Sequence, residues 1–299
     1  MPHAETILGL AFATTRVQAV LLRHDGPTPT LLALDEWTNT IPFGTREHES
    51  GVRTFTDHLK SFITKAGVQP DSASAALGSE QTFILTLPFE EGISRLERND
   101  HVRWEIGQYF PDANPGDFVT DVQPITNNKI DKWVKSISVS IRKQDADLIK
   151  EVIGELGLGL KVIDVDHFSA DTALRYNYPD IAKKYMALVG IKENRVDVSI
   201  LRNGVLESYS YHAVTSNQEI STCISSLPEY HRGLYSLSAY GPFLDTDLLG
   251  RIRRESSLLV EALNPLRHID VADSLRLEET VSLPSYRFAT AVGVALRRD

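Results

Sequence analysis

The stretch ILGLAFATTRVQAVLL, residues 7–22, reads as a strand, a tight turn and a second strand. A turn of this kind near an N-terminus often holds a phosphate, and then it usually carries an acid and a glycine. Here Ala11 and Ala13 stand at those places, followed by Thr14 and Thr15. A His-Asp-Gly turn at 24–26 leads into a third strand at about 30–37, so the chain opens on a three-stranded meander. Val52, Phe55, Leu59, Phe62 and Ile63 then share one helical face, with Gly67 as the C-terminal stop, and residues 72–78 form a small-residue buried strand.

The meander recurs. MALVGI at 186–191, the turn Lys192-Glu193-Asn194, VDVSIL at 196–201, the hairpin turn Asn203-Gly204 and VLESYSY at 205–211 repeat the opening pattern. Two such meanders, each followed by helical sequence, point to a duplicated lobe rather than to coincidence. Between the copies lies a block of different character. A strand at 81–89 ended by Pro88 precedes a helix that places Val102, Ile106, Tyr109 and Phe110 on one stripe and stops at Pro111. Strands at about 118–125 and 132–141 and a helix ending at Gly157 complete what reads as an inserted subdomain. A core strand at 160–166 and a short helix at 168–176 follow it.

With 31 Lys plus Arg against 40 Asp plus Glu in 299 residues, the formal net charge of -9 disfavours a nucleic-acid footprint or an anionic membrane surface. A composition of 42% apolar and 24% charged residues is that of a soluble globular protein. Cys223 is the single cysteine, so no intramolecular disulfide forms and a reducing cytoplasm is expected. Neither an export signal nor a membrane span is visible, so no direct membrane insertion is expected.

The collinear run of these segments resembles the actin-like ATPase superfamily, within it the type IV pilus assembly proteins of the PilM type and their relative FtsA. The resemblance rests on residues 7–22 as the first phosphate strand and turn, and on TLPFE at 86–90, VRWEIGQYFP at 102–111 and SVSIRKQDAD at 138–147 as the insert. It rests further on ALVGI at 187–191 as the second phosphate strand, LSAYG at 237–241 as the adenosine-loop strand, and ALNPLR at 262–267 with FATAVGVALR at 288–297 as the C-terminal signature. It implies an α/β (α+β) fold of two RNase H-like lobes. Subdomain 1A would comprise 1–79 plus 160–183, an inserted subdomain 1C would cover 80–159, and a 2A-like lobe would cover 184–299. Subdomain 2B would be reduced to about 212–235, since Ser210 to Tyr235 spans roughly 25 residues, enough for one helix near 218–227.

Against that family the departures are concerted. The two aspartates that hold hydrated magnesium and the turn glycines are replaced by Ala11, Ala13, Gly190 and Lys192, and Ala239 and Tyr240 precede Gly241 where the family has a glycine run. The expectation is a vestigial nucleotide cleft, no catalytic residues, no metal and no cofactor: a pseudo-ATPase. Lys192 with Thr14 or Thr15 could greet a phosphate, but a solvated Lys-Glu-Asn turn is the preferred reading. DVDH at 164–167 could serve a metal hydrolase, but helix capping by Asp166 or His167 is preferred. A superfamily kinase or ATPase would have to use other acids, with Asp35, Asp164 and Asp197 as the places to look.

By resemblance, PilM-like proteins clamp the cytoplasmic tail of a single-span inner-membrane protein, PilN, between subdomains 1A and 1C. The cytoplasmic part of the type II secretion protein GspL is a near relative. The expectation is therefore a scaffold of a pilus- or secretion-type assembly, cytoplasmic and peripheral at the inner membrane through its partner, with self-association as a further property. On the insert's helix Trp104, with Arg103 and Gln108 beside it, falls off the apolar stripe. It is either a partner anchor or a side chain packed under the insert's loops.

Overall fold

The computed structural model describes residues 4–41, 43–44, 49–130, 132–276 and 283–297. Strands β1 (Glu5–Phe12), β2 (Arg16–His24) and β3 (Thr30–Thr38) form the opening meander, followed by α1 (Glu49–Ala66) and β4 (Ser72–Leu77). The insert contains β5 (Phe83–Glu90), α2 (Arg95–Tyr109), β6 (Phe118–Ile130), β7 (Trp133–Arg142) and α3 (Lys143–Glu155). Next come β8 (Gly159–Val165) and α4 (Asp166–Asn177), then β9 (Tyr185–Ile191), β10 (Arg195–Arg202), β11 (Val205–Ala213), α5 (Asn217–Tyr230) and β12 (Ser236–Tyr240). The chain ends with α6 (Thr246–Glu255), β13 (Leu259–Ala262), β14 (Asp270–Val271), α7 (Asp273–Arg276) and α8 (Ala289–Ala295).

The duplication is explicit in the strand order. One sheet runs β14-β3-β2-β1-β4-β8 and the other β11-β10-β9-β12-β13, so each carries an antiparallel meander followed by two parallel strands. The central strands β1 and β9 are covered on both faces and are buried almost throughout, which is why their sequences are apolar runs rather than alternations. At the second hairpin Asn203 and Gly204 both have positive φ, 53° and 73°, as a two-residue turn between right-twisted strands demands.

Helices α4 and α8 join the lobes. Ala170 and Leu174 of α4 pack with Met186 and Leu188 of the second sheet, while Ala291, Val292 and Ala295 of α8 pack with Ile7 and Ala11 of the first. Beside α8, β14 pairs with β3, so the end of the chain returns to the first sheet although the sequence reading counts it with the second lobe. The segment between β11 and β12 holds α5 and no strand. No helix among the described residues is long and apolar enough to cross a membrane.

The insert is a three-stranded sheet ordered β5-β7-β6. Leu87 and Phe89 pack under Val102 and Ile106 of α2 on one face, leaving the other face toward β8 and α4. Three local expectations fail here. Pro88 lies inside β5 opposite Lys135 rather than ending it, which an edge strand tolerates because the lost N–H need not serve a neighbour. Tyr109, the last residue of α2, is 60% exposed, with its ring edge against Phe83. The cap of α4 is not made by Asp166 or His167: the N-cap is Val165 without a side-chain bond, and both polar residues are buried.

Candidate functional site

Two features lie beside α4, a narrow cleft between the lobes and a larger groove under the insert. In the cleft the turns after β1 and β9 face each other, and Thr15 Oγ1 reaches Glu193 Oε2 at 3.4 Å. Thr14 donates to Glu80 Oε1 from both its backbone N–H, 3.1 Å, and its hydroxyl, 2.9 Å. Lys192 is not a solvated turn residue: it is 5% exposed, and its Nζ lies 2.5 Å from Asp166 Oδ2, 2.7 Å from Asp197 Oδ2 and 3.4 Å from Glu80 Oε2, while also donating to Ser79 Oγ. Ser79 Oγ in turn donates to Asp197 Oδ2 at 2.7 Å, and its N–H donates to Asp166 Oδ1 at 3.0 Å. Arg195 Nε and the Tyr209 hydroxyl complete Asp197 at 2.9 and 2.5 Å. Lys192 and Asp197 come from the second lobe, the other carboxylates from the first, so the ammonium ties the lobes together.

Burial by itself would lower the Lys192 ammonium, but Asp166, Asp197 and Glu80 together hold it above its ordinary value, fully charged. Burial would likewise raise Asp197, yet Lys192, His167 and Arg195 outweigh it and keep its carboxyl below the usual range. Asp166 goes the other way: burial pushes it up to about 6, opposed by Lys192 and reinforced by Glu80 and Asp197.

Behind this cluster His167 Nδ1 meets the Tyr240 hydroxyl and Nε2 the Ser199 hydroxyl, each at 2.9 Å. The Tyr240 ring fills the space before Gly190, where a Cβ would sit 2.6 Å from the hydroxyl oxygen. Gly241, at φ +125°, presses on the carbonyl of Ile191, so close that a Cβ would come within 2.3 Å of the oxygen. The space left between Ala11, Ala13, Lys192, Tyr240 and Gly241 is about 20 Å³. Nucleotide-sized pockets are on the order of 300–1,000 Å³. The cleft is far smaller than that, and the carboxylates beside it are bonded to an ammonium. Among the described residues no three of His, Cys, Asp and Glu stand where they could hold a metal ion.

Burial lowers His167 to about 4, with Asp197 opposing and Lys192 and Arg195 adding to the effect. A base depressed in the folded state contributes stability above its unfolded value, about 6.5, and loses it as pH falls toward 4. Relative to His167→Gln, the wild type should therefore lose about 2–3 kcal/mol between pH 6.5 and 4. Paired denaturant titrations across that range measure it, and a stability difference independent of pH would contradict the neutral buried imidazole.

The groove is a cavity of about 570 Å³ between the insert's second face and β8 with α4. Ile137, Val139 and Ile141 of β7 and Val119 of β6 form one wall, Phe168 the floor. Consecutive residues from Val162 to Val165 border it, which a strand does only along its edge, and β8 is the last strand of its sheet. Asp164 lines this groove, bonded to Ser169 Oγ at 2.8 Å and to Arg297 at 3.2 Å. Asp35 lies on β3, accepting the Glu36 N–H at 2.8 Å, and Asp197 belongs to the cleft, so the three acids suggested for a kinase are not brought together. Cys223, half-buried on α5, has a thiol raised by burial, the reverse of an activated nucleophile.

Trp104 is 61% exposed on the outer face of α2, with Gln108 exposed and Arg103 paired to Asp100 at 3.1 Å. It is thus not packed under the insert's loops, and the whole insert sheet separates it from the groove. Sequence reasoning missed Ser79, Glu80, Arg195 and Tyr209 in the cleft and Phe168, Asp171, Arg175 and Arg297 in the groove. The available signal was the polar set Asp166, His167 and Asp197 in otherwise apolar stretches, with a lysine in the turn after β9.

No known family profile and no curated protein matches the sequence. Solved structures do match in fold. A chain of a PilM-PilN type IV pilus biogenesis complex superposes with a TM-score of 0.78 at 17% identity, covering 97% of both chains. A Bacteroides thetaiotaomicron protein with an actin-like ATPase fold gives 0.54 at 9% identity, covering 87% of this chain and 91% of that one. The cytoplasmic domain of EpsL, an inner-membrane component of the Vibrio cholerae type II secretion system, gives 0.50 at 10% identity over 94% and 100%. The protein has the actin-like fold.

Proposed function

We propose that the protein is a non-catalytic scaffold of a type IV pilus-like or type II secretion-like inner-membrane assembly. It holds the cytoplasmic tail of a single-span membrane partner in the groove between β8 and the insert, and sits at the inner membrane through that partner. The observation that carries this reading is the contrast between the two sites: about 20 Å³ in the interlobe cleft against about 570 Å³ in the groove. A protein retained for ATP chemistry needs the first site open, whereas one retained for docking needs the second. Likeness in fold to a chain of the PilM-PilN complex and to EpsL supports the kind of machine.

A photo-crosslinking side chain in place of Val139, in the groove wall, is expected to trap a short one-helix inner-membrane protein from native membranes. The same group in place of Trp104 is expected not to. Crosslinking from Trp104 alone would move the docking site to the outer face of α2. Calorimetry with Mg-ATP is expected to show no heat, and micromolar binding would reject the pseudo-ATPase half of the proposal.

A further inference from the structure

The groove has an unfilled hydrogen-bonding position. Asp171, on the α4 wall, accepts from Arg175 Nε at 2.6 Å through Oδ2. Its Oδ1 is buried and has no hydrogen-bond partner among the described residues. Arg175 is held back, because its NH1 donates to the carbonyl of Gly204 at the β10–β11 turn. A buried carboxylate oxygen left unpaired is costly, so this atom calls for a donor that the described residues do not supply.

Charge points the same way. Among the described residues the groove is lined by three carboxylates, Asp121, Asp164 and Asp171, and two guanidiniums, Arg175 and Arg297. The balance is one negative charge, in a site where burial raises both Asp164 and Asp171 from their ordinary value. A cation entering the groove would neutralise the excess and oppose the effect of burial on these carboxyls.

The geometry of the walls restricts the shape of what carries the cation. The open edge of β8 offers backbone groups to an added strand, and the opposing face of β7 offers Ile137, Val139 and Ile141 at alternate positions. We infer that the groove is a strand-accepting site with one cation subsite: an extended peptide pairs with β8, sets alternate apolar side chains against β7, and places one lysine or arginine on Asp171 Oδ1. This rests on the docking role proposed above and specifies its partner chemistry. It also suits a membrane-anchored tail, since cytoplasmic segments next to a single membrane span are enriched in Lys and Arg.

The test is selection from a display library of random decapeptides on the whole protein, repeated on Asp171→Asn. The wild type is expected to enrich peptides with alternating apolar residues and a Lys or Arg at one fixed position. Asp171→Asn is expected to keep the apolar pattern and lose the basic position. For a selected peptide, Asp171→Asn should weaken binding about 10-fold or more, while its norleucine-for-lysine analogue binds both proteins equally, which also shows that the variant is folded. An apolar consensus with no fixed base, or the same base preference on Asp171→Asn, overturns the cation subsite and leaves groove docking standing. Enrichment of no peptide by the wild type overturns both.

Discussion

Lys192→Met is expected to destabilise the protein by about 3–5 kcal/mol, because it removes the ammonium and leaves the carboxylates around it buried. The methylene stem keeps its packing, so the loss is one of charge. Asp197 retains Arg195 and the Tyr209 hydroxyl, but Asp166 is left with backbone donors, the N–H groups of Ser79 and His167, against burial. In a chain of this size roughly 2–4 °C follows each kcal/mol, so the melting temperature should fall by about 10 °C. Adding Asp166→Asn to the same protein should recover part of the loss, since a neutral amide no longer needs the ammonium; with the single Asp166→Asn variant the double-mutant cycle gives the coupling energy. A single variant melting within a degree or two of the wild type would mean that the cluster does not tie the lobes together.

Gly293→Ala should be at least as damaging, and for a steric reason. Where α8 crosses α4, a Cβ on residue 293 would stand 1.7 Å from the carbonyl oxygen of Ser169 and 2.5 Å from its carbon. Both are backbone atoms in a helix, so no rotamer change relieves the overlap and the helices must separate. That separation would open the packing of α8 against the first sheet, where Gly9 already lies so close that its own Cβ would meet the Ala291 carbonyl oxygen at 2.3 Å. A loss above about 4 kcal/mol is expected, seen as insolubility or a melting point lower by more than about 10 °C. Gly154→Ala, in α3 with nothing within 4 Å of the added carbon, is the matched control and should be neutral or stabilising by about 0.5 kcal/mol. Equal behaviour of the two variants would refute the close crossing.

What could be read locally was read well. The three apolar runs at each meander, the Asn203-Gly204 turn and the glycines after α1 and α3, with φ of 67° and 72°, follow from rules acting over a few residues. The misreadings share one cause. Lys192-Glu193-Asn194 has the composition of a solvated turn, and Asp166-His167 that of a capped helix start, so their neighbours in sequence give no sign of burial. Their partners are distant: Lys192 and Ser79 are 113 residues apart. Pro88 misled in the same way, because whether a strand tolerates proline depends on its place in the sheet, which the pairing with β7 decides.

The sequence by itself determined the two repeated meanders, the insert between them and the presence of Ala11 and Ala13, rather than an acid and a glycine, at the turn after β1, since periodicity and turn chemistry are short-range. Only the tertiary structure decided what that turn and its counterpart after β9 meet. It set the Lys192 ammonium among carboxylates of both lobes, filled the cleft with Tyr240, and left the open edge of β8, with Asp171 on neighbouring α4, facing the insert across the groove. Those outcomes depend on which distant groups meet where water is excluded, and burial is what turns an ordinary lysine and its carboxylates into a tie between the lobes.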